Sequence, residues 1–233
     1  MMKKQYIMIG IVGITIAVIV VIAGATGSFQ PNTSADETNI EPKTQEQESL
    51  QTILSKADAI RSMYYEIYGT ITMSQYGSQT LTMRIWQEKP YFKQEITSQT
   101  AGITNTIAVI VRPEGTYVYN QAQGKYVQTT EVPSYVTSLQ YLDPKMIKDL
   151  LNNQSITNFK TEIIDGKMTT VIEYEMPLLG DTQMTIKIWI WNEKGVPLKT
   201  YMTMIMEEMT MAMDFSFRNY SFSDIPDSTF NVT

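Results

Sequence analysis

The chain has 233 residues, a net charge of −6 and a sequence pI of about 4.8, which bounds it to one sizeable domain or two small ones. It contains no cysteine and no histidine, which excludes disulfides, thiol catalysis, lipidation of an N-terminal cysteine, Ser-His-Asp triads and ordinary zinc sites. The acidic balance argues against nucleic-acid binding, which usually needs a basic face.

Residues 1–26 read as a membrane anchor or a signal sequence. Lys3 and Lys4 precede the uncharged run Ile7–Ala25, and ~20 such residues suffice to cross a hydrocarbon core of ~30 Å. The two lysines favour an N-terminus inside the cell and a domain outside the cytoplasm. A signal peptide cut after Ala25 would give a secreted product. The run exceeds the ~7–15 apolar residues of a cleaved signal, which favours a single-pass anchor in the cell membrane.

Residues 27–45 are polar and predict a disordered linker, so the folded domain is expected over residues 46–233. The domain starts with a predicted amphipathic helix, Glu46–Met63, for which Ser49 is the expected N-cap. Its apolar stripe consists of Leu50, Ile53, Leu54, Ala57, Ile60 and Met63.

From Tyr64 onward the apolar period becomes two, which predicts a long antiparallel meander. A short helix at Asp143–Asn152, with Pro144 at its first position, interrupts the strands. The other predicted strands are Leu81–Trp86, Tyr91–Ser98, Asn105–Arg112, Thr116–Asn120, Lys125–Thr129, Thr157–Ile164, Met168–Met176 and Met184–Trp191.

The segment 202–213 predicts a methionine hairpin. Three methionines alternate before Glu207-Glu208 and three after it, and a turn at the two glutamates accounts for the change of phase. The expected pairs are Met206 with Met209, Met204 with Met211, and Met202 with Met213.

The strands next to this hairpin extend the same apolar face. A three-residue turn at Glu193-Lys194-Gly195 would place Ile190 opposite Leu198, Ile186 opposite Met202, and Met184 opposite Met204. Two short helices cannot cover a face of nine or more strands unless the sheet curls. The predicted fold class is therefore mainly β (α+β), with a curled antiparallel sheet or incomplete barrel that two helices cap, after one N-terminal transmembrane helix.

The concave apolar face predicts a lipid or acyl-chain site, because unbranched thioethers adapt to chains of differing shape. An ordinary core with methionines as gap fillers is the alternative. Cu(I) binding by the thioethers is disfavoured because isoleucines share the face and no cysteine or histidine supplements it. The predicted lining consists of Leu81, Met83, Ile85, Ile172, Tyr174, Met184, Ile186, Ile188, Met202, Met204, Met206, Met209, Met211 and Met213.

Other chemistry has weaker support. Glu173, Glu175, Glu207 and Glu208 are the carboxylates considered for catalysis, but solvated charge on a strand or turn explains them, and no enzyme activity, cofactor or metal is predicted. Four Asn-x-Ser/Thr motifs are glycosylation candidates outside the cytoplasm. They begin at Asn32, Asn153, Asn219 and Asn231.

The segment Ile85–Phe92 resembles the strand-end motif of the periplasmic lipoprotein carrier (LolA-like) family, in which an apolar-Trp pair precedes a basic residue and a proline. Trp86, Lys89 and Pro90 carry this resemblance, and the element order agrees over roughly residues 46–232, with a final strand from Ile225 to Phe230. The resemblance implies an incomplete barrel holding acyl chains, with Lys89 where the family often has a cargo-handling arginine. Family carriers are released by signal cleavage, which differs from a retained anchor.

The sequence thus predicts a membrane-tethered, extracytoplasmic protein of the lipid or lipoprotein carrier or sorting type. Its predicted partners are the membrane, through the N-terminal helix, and a lipid or a lipidated protein, but no nucleic acid. The alternative is a non-catalytic cell-surface interaction or sensing module whose apolar face is only a core.

Overall fold

The computed structural model describes residues 48–100, 102–130, 159–177, 183–206 and 209–232. The predicted anchor, the linker, the helix at Asp143–Asn152 and the Glu207-Glu208 turn lie outside these residues. No helix within the described ranges is long and apolar enough to cross a membrane.

Eleven antiparallel strands form one open sheet in the described ranges, in the order β6-β5-β4-β3-β2-β1-β11-β10-β9-β8-β7. Two meanders therefore meet where β1 pairs with β11. The strands are β1 (Ser62–Met73), β2 (Gly77–Glu88), β3 (Tyr91–Thr100), β4 (Ile103–Arg112), β5 (Gly115–Asn120), β6 (Lys125–Thr129), β7 (Phe159–Ile164), β8 (Lys167–Pro177), β9 (Gln183–Trp191), β10 (Val196–Met206) and β11 (Met209–Ser221). The large antiparallel sheet confirms the mainly β class, and its curling into an incomplete barrel stays a prediction.

The first helix is shorter than predicted. Helix α1 spans Leu50–Ser55 and continues as a 3-10 helix, Lys56–Ala59, before β1 begins at Ser62. The Ser49 side chain accepts the backbone N–H of Thr52 at 3.2 Å, as its predicted N-cap role requires. Met63 misled the prediction because it fits both periods: it continues the helical stripe and also starts the alternation along β1.

The methionine hairpin has the predicted register. Met202 pairs with Met213, Met204 with Met211, and Met206 with Met209. On the other side of β10, Ile186 pairs with Met202 and Met184 with Met204, also as predicted. These pairings set Met184, Ile186, Met202, Met204, Met211 and Met213 on one face of the sheet.

The turn between β9 and β10 differs from the prediction. Trp191 pairs with Val196 across a four-residue turn, in which the Gly195 N–H donates to the Trp191 carbonyl at 2.8 Å. Ile190 consequently pairs with Pro197, not Leu198, and a bulge between Pro197 and Lys199 restores the register. The extra turn residue and the bulge cancel, so the pairs further along the strand are the predicted ones.

The main core lies on one face of the sheet, called here the apolar face. It is formed by buried residues of α1, β1–β3 and β8–β11, which form one cluster. Gly69 makes room for Phe215 there, because a Cβ on Gly69 would lie 2.3 Å from the Phe215 ring.

A second, smaller core lies on the opposite, polar face and was not predicted. Ile110 of β4 is buried there beneath the C-terminal segment 224–232, which contributes Ile225 and Phe230. This segment contains a 3-10 helix, Asp227–Phe230, where the family resemblance implied a strand. Pro226 fixes the local backbone, and the Thr229 N–H donates to the Pro226 carbonyl at 2.9 Å, which closes a tight turn.

Candidate functional site

Most of the predicted lining residues are packed together on the apolar face. Eleven of the fourteen have described side chains no more than 9% exposed, and all eleven belong to the main core cluster. Met202 and Met209 are half-buried, and nothing is described of the Met206 side chain. Ligand binding by this wall stays a prediction. The eleven are Leu81, Met83, Ile85, Ile172, Tyr174, Met184, Ile186, Ile188, Met204, Met211 and Met213.

Three polar side chains in this wall carry buried atoms that have no hydrogen-bond partner within the described ranges. They are the Tyr174 hydroxyl, the Thr200 hydroxyl and the Gln94 carbonyl oxygen. Burial raises the pKa of Tyr174, because the phenolate would lose its hydration. A buried phenol without an acceptor costs free energy, so Tyr174 contributes to the wall mainly through its ring.

A pocket of about 230 Å³, called here the rim pocket, lies at the margin of the apolar face. Met63, Phe92 and Val196 line it and also belong to the main core or pack against it, so the pocket is a place where the core reaches the surface. None of the fourteen predicted lining residues borders it. The other lining residues are Ala57, Asp58, Ile60, Arg61, Gln87, Lys89, Pro90 and Tyr91.

Three separate parts of the chain build the rim pocket. The first 3-10 helix and the residues after it form one wall, and the β2–β3 hairpin around Lys89 and Pro90 forms the other. Val196, the first residue of β10, adds to the lining. Of the motif residues in the family resemblance, Lys89 and Pro90 thus border the pocket, whereas Trp86 is half-buried and packs against the second core on the polar face.

The helical wall is fixed by close contact with the β9–β10 turn. The Lys56 ammonium donates to the Asn192 carbonyl at 2.7 Å and pairs with Glu48 at 2.6 Å. Gly195 lies against α1 so closely that a Cβ there would come within 2.3 Å of the Ile53 carbonyl oxygen. Glycine at this position therefore determines how near the helix can approach the sheet.

The hairpin wall is fixed by the C-terminal segment. The Ile225 N–H donates to the Glu88 carboxylate at 2.9 Å, and the Phe230 ring stacks on Tyr91 with 5.4 Å between centroids. Glu88 and Tyr91 flank Lys89 and Pro90, so these two contacts hold the part of the hairpin that borders the pocket. Sequence reasoning missed this arrangement because no local pattern marks a segment that crosses to another strand.

The rim pocket has an apolar interior and a charged mouth. Arg61 and Lys89 are exposed, and neither makes an ion pair or a side-chain hydrogen bond with any described residue. Asp58 supplies one carboxylate to the same lining. The arrangement suits an amphiphile, because its apolar part would be buried while its polar part stays among charged groups.

A hydrogen-bonded cluster lies on the polar face around Glu66. Its carboxylate accepts from the hydroxyls of Tyr64 and Tyr68 and from the Asn219 amide at 2.9 Å. These bonds, that from Tyr64 foremost, lower the pKa of Glu66, and burial followed by the bond to Glu66 raises the pKa of Tyr64 to about 12. The cluster joins β1 to β11 at the centre of the sheet.

The other predicted candidates are dispersed. Glu173 lies 3.9 Å from Lys187, and Glu175 is exposed on the same strand. Glycosylation stays a prediction at all four sites: Asn32 and Asn153 lie outside the described residues, Asn231 is exposed, and the Asn219 amide bonds Glu66. No group of acidic side chains within the described ranges has the arrangement of a metal site.

Comparison with known proteins gave solved structures of similar fold. A LolA superfamily protein from Nitrosomonas europaea matches 79% of this chain and 98% of its own, with 11% identity and a TM-score of 0.37. LprF from Mycobacterium bovis matches 73% of this chain and 92% of its own, with 12% identity and a TM-score of 0.39. MucB of Pseudomonas aeruginosa, solved with MucA, has 11% identity and a TM-score of 0.45, and the match covers 79% of this chain but 61% of the other.

A LolA superfamily protein is thus among the matches, and at such identities and TM-scores they concern the fold alone. No protein-family model matches the chain. No curated protein matches it either.

Proposed function

We propose that the protein is a membrane-tethered, extracytoplasmic binding protein, without enzymatic activity, that takes a lipid or the acyl chain of a lipidated protein into the rim pocket. Tethering and location rest on the uncharged run Ile7–Ala25 after Lys3 and Lys4. Carriage or sorting of such a ligand is the type of role that follows.

The observation that carries this proposal is the continuity of the rim pocket with the main core. Met63 is 5% exposed and Val196 0% exposed, and both line the pocket while belonging to the core cluster. An acyl chain that enters the pocket therefore meets side chains already packed against aliphatic neighbours. Each methylene that leaves water contributes about 0.8 kcal/mol, so even a short buried segment gives useful affinity.

The size of the pocket limits what it can hold in this conformation. A volume of about 230 Å³ is below the ~300–1,000 Å³ of typical sites for drug-sized ligands. It corresponds to about seven or eight water molecules at ~30 Å³ each, which suits a segment of one narrow chain. A single acyl chain entering at its end is therefore the ligand that fits best.

The close packing of the methionines on the apolar face favours a second candidate, an interaction or sensing module whose apolar face is only a core. Met184 and Met211 are both 0% exposed, as expected of residues that serve stability alone. The two candidates differ in one respect that can be measured, because only the first requires an apolar ligand in the rim pocket.

The test compares two alanines of the same 3-10 helix. Ala57 lines the pocket, whereas Ala59 is exposed and does not border it. Ala57→Trp should fill the pocket and abolish the uptake of a fluorescent fatty acid by the full chain kept soluble in amphipol, while Ala59→Trp should leave uptake unchanged.

Native mass spectrometry of the gently extracted wild-type chain would show whether lipid co-purifies. An absence of both bound lipid and fatty-acid uptake in the wild type would leave the second candidate. If Ala57→Trp takes up as much fatty acid as Ala59→Trp, the ligand does not bind in the rim pocket.

A further inference from the structure

We propose that the rim pocket selects amphiphiles with an anionic headgroup, which Arg61 and Lys89 hold at the mouth. This inference rests on the proposed function, since it assigns the polar end of the ligand whose chain the pocket takes. The headgroup chemistry is that of a carboxylate or a phosphate ester.

The first argument is the position of the two cations. Arg61 precedes Ser62 of β1 and Lys89 follows Glu88 of β2, and Ser62 pairs with Glu88, so the two cations lie at neighbouring strand ends in the pocket lining. A headgroup bound beside one of these strand ends would therefore be within reach of both side chains. Arg61 also brings a planar guanidinium, which binds carboxylate or phosphate oxygens in pairs.

The second argument is that both cations lack a counter-ion of the protein's own. Neither makes an ion pair or a side-chain hydrogen bond within the described part of the chain, whereas nearby Lys93 pairs with Glu95 at 3.1 Å and Lys56 with Glu48 at 2.6 Å. Lys93 and Lys56 thus have acidic partners, whereas Arg61 and Lys89 can bind an external anion.

The third argument is the sign of the local charge. The chain carries 24 acidic and 18 basic side chains, yet the pocket lining has two cations and one carboxylate, Asp58. The mouth is therefore locally positive on a protein that is negative overall. Such a site attracts an anion that the rest of the surface repels, which favours the correct orientation on approach.

The experiment compares three ligands of equal chain length: dodecanoate, dodecyl phosphate and dodecanol. Each displaces a fluorescent fatty acid from the full chain in amphipol. The wild type should bind both anionic ligands roughly fivefold more tightly than the alcohol, which is the gain expected from two solvent-exposed charge contacts. The preference should shrink at about 1 M salt, where the screening length falls to ~3 Å.

The variants are Arg61→Gln, Lys89→Gln and their combination, with Lys125→Gln as the control. Lys125 is exposed at the end strand β6, away from the pocket lining. The double variant should bind all three ligands as weakly as the wild type binds dodecanol, and the control should behave as the wild type. Far-UV circular dichroism confirms that each variant is folded.

Three outcomes would overturn the inference. If dodecanol binds as tightly as the anionic ligands and Ala57→Trp abolishes all binding, the pocket binds acyl chains without selecting a headgroup, and the proposed function still holds. If the double variant keeps the anionic preference, other side chains supply it. If the wild type binds none of the three, the proposed function fails together with this inference.

Discussion

Gly195→Ala is the substitution that tests the seating of α1 on the sheet most directly. The new Cβ would lie 2.3 Å from the Ile53 carbonyl oxygen and 3.0 Å from the Ala57 nitrogen, and both are backbone atoms that no rotamer change can move. The helix must therefore retreat from the β9–β10 turn. Gly195 also has φ +71°, a region that costs an L-residue about 1–2 kcal/mol.

The matched control is Gly124→Ala in the β5–β6 turn. Its φ is +63°, and nothing lies within 4 Å of the added Cβ, so it incurs the backbone cost alone. Forcing an extra methyl into a packed contact adds about 1–3 kcal/mol. We therefore expect Gly124→Ala to lower the free energy of unfolding by about 1–2 kcal/mol and Gly195→Ala by about 2–5 kcal/mol.

Urea unfolding of the full chain in amphipol, followed by tryptophan fluorescence, measures both losses, because Trp191 immediately precedes the turn. Gly195→Ala should also weaken fatty-acid uptake, since the displaced helical segment carries Ala57 and Ile60 of the pocket lining. Equal losses of stability in the two variants would refute the reasoning, because the backbone cost would then account for everything and α1 could not lie against this turn.

Three further predictions concern the core, the C-terminal segment and the polar cluster. Met184→Ala, at a fully buried position, should cost about 2–5 kcal/mol in urea unfolding, whereas Met168→Ala, 57% exposed, should stay within about 0.5 kcal/mol. Phe230→Ala should lower the free energy of unfolding by about 3–5 kcal/mol. It should also weaken fatty-acid uptake, because Tyr91 of the pocket lining loses its stacking partner, and unchanged uptake would show that this contact does not hold the hairpin wall in place. The pKa of Glu66 is lowered in the fold, so its stabilisation is fully present above its ordinary pKa and is lost as pH falls through the lowered value. The gap in urea stability between wild type and Glu66→Gln should therefore narrow steadily as pH falls below the ordinary pKa of glutamate, and a gap that does not change with pH would contradict the assignment.

The register of the methionine hairpin could be predicted because it depends on local alternation alone. Met204 and Met211 have the same parity relative to the turn, and a symmetric turn of any length preserves that parity. The pairing of Ile186 with Met202 was predicted for a different reason. Two errors cancelled there, since the longer turn shifts the register one way and the bulge after Pro197 shifts it back.

The rim pocket could not be predicted from local patterns, because its walls are distant in sequence. Ala57, the hairpin at Lys89 and Pro90, and Val196 meet only after β1 has paired with β2 and α1 has docked on the β9–β10 turn. Periodicity reports which face a residue occupies, but it does not report where a face ends. The Lys-Pro pair of the family resemblance was the only local sign of this margin.

The second core was missed because strand parity gives two faces and only one was expected to be covered. Trp86 pairs with Lys93, and Lys93 with Ile110, so an aromatic and an aliphatic residue lie on the polar face with a lysine between them. Lys93 stays compatible with both neighbours because its ammonium lies 4.9 Å from the centroid of the Trp86 ring. A row that mixes apolar and charged residues in this way does not predict from the sequence that the C-terminal segment covers it.

Tight packing of the apolar face and a small pocket at its margin are compatible with the proposed binding of acyl chains, including chains of different lengths. Met63 lines the rim pocket and belongs to the main core, and its unbranched side chain can change rotamers without the strain a β-branched residue would meet. A longer chain would then gain room by displacing thioethers one after another, each displaced contact being replaced by one with the ligand. The core would stay filled at every stage, so its close packing does not conflict with the proposed acyl-chain site.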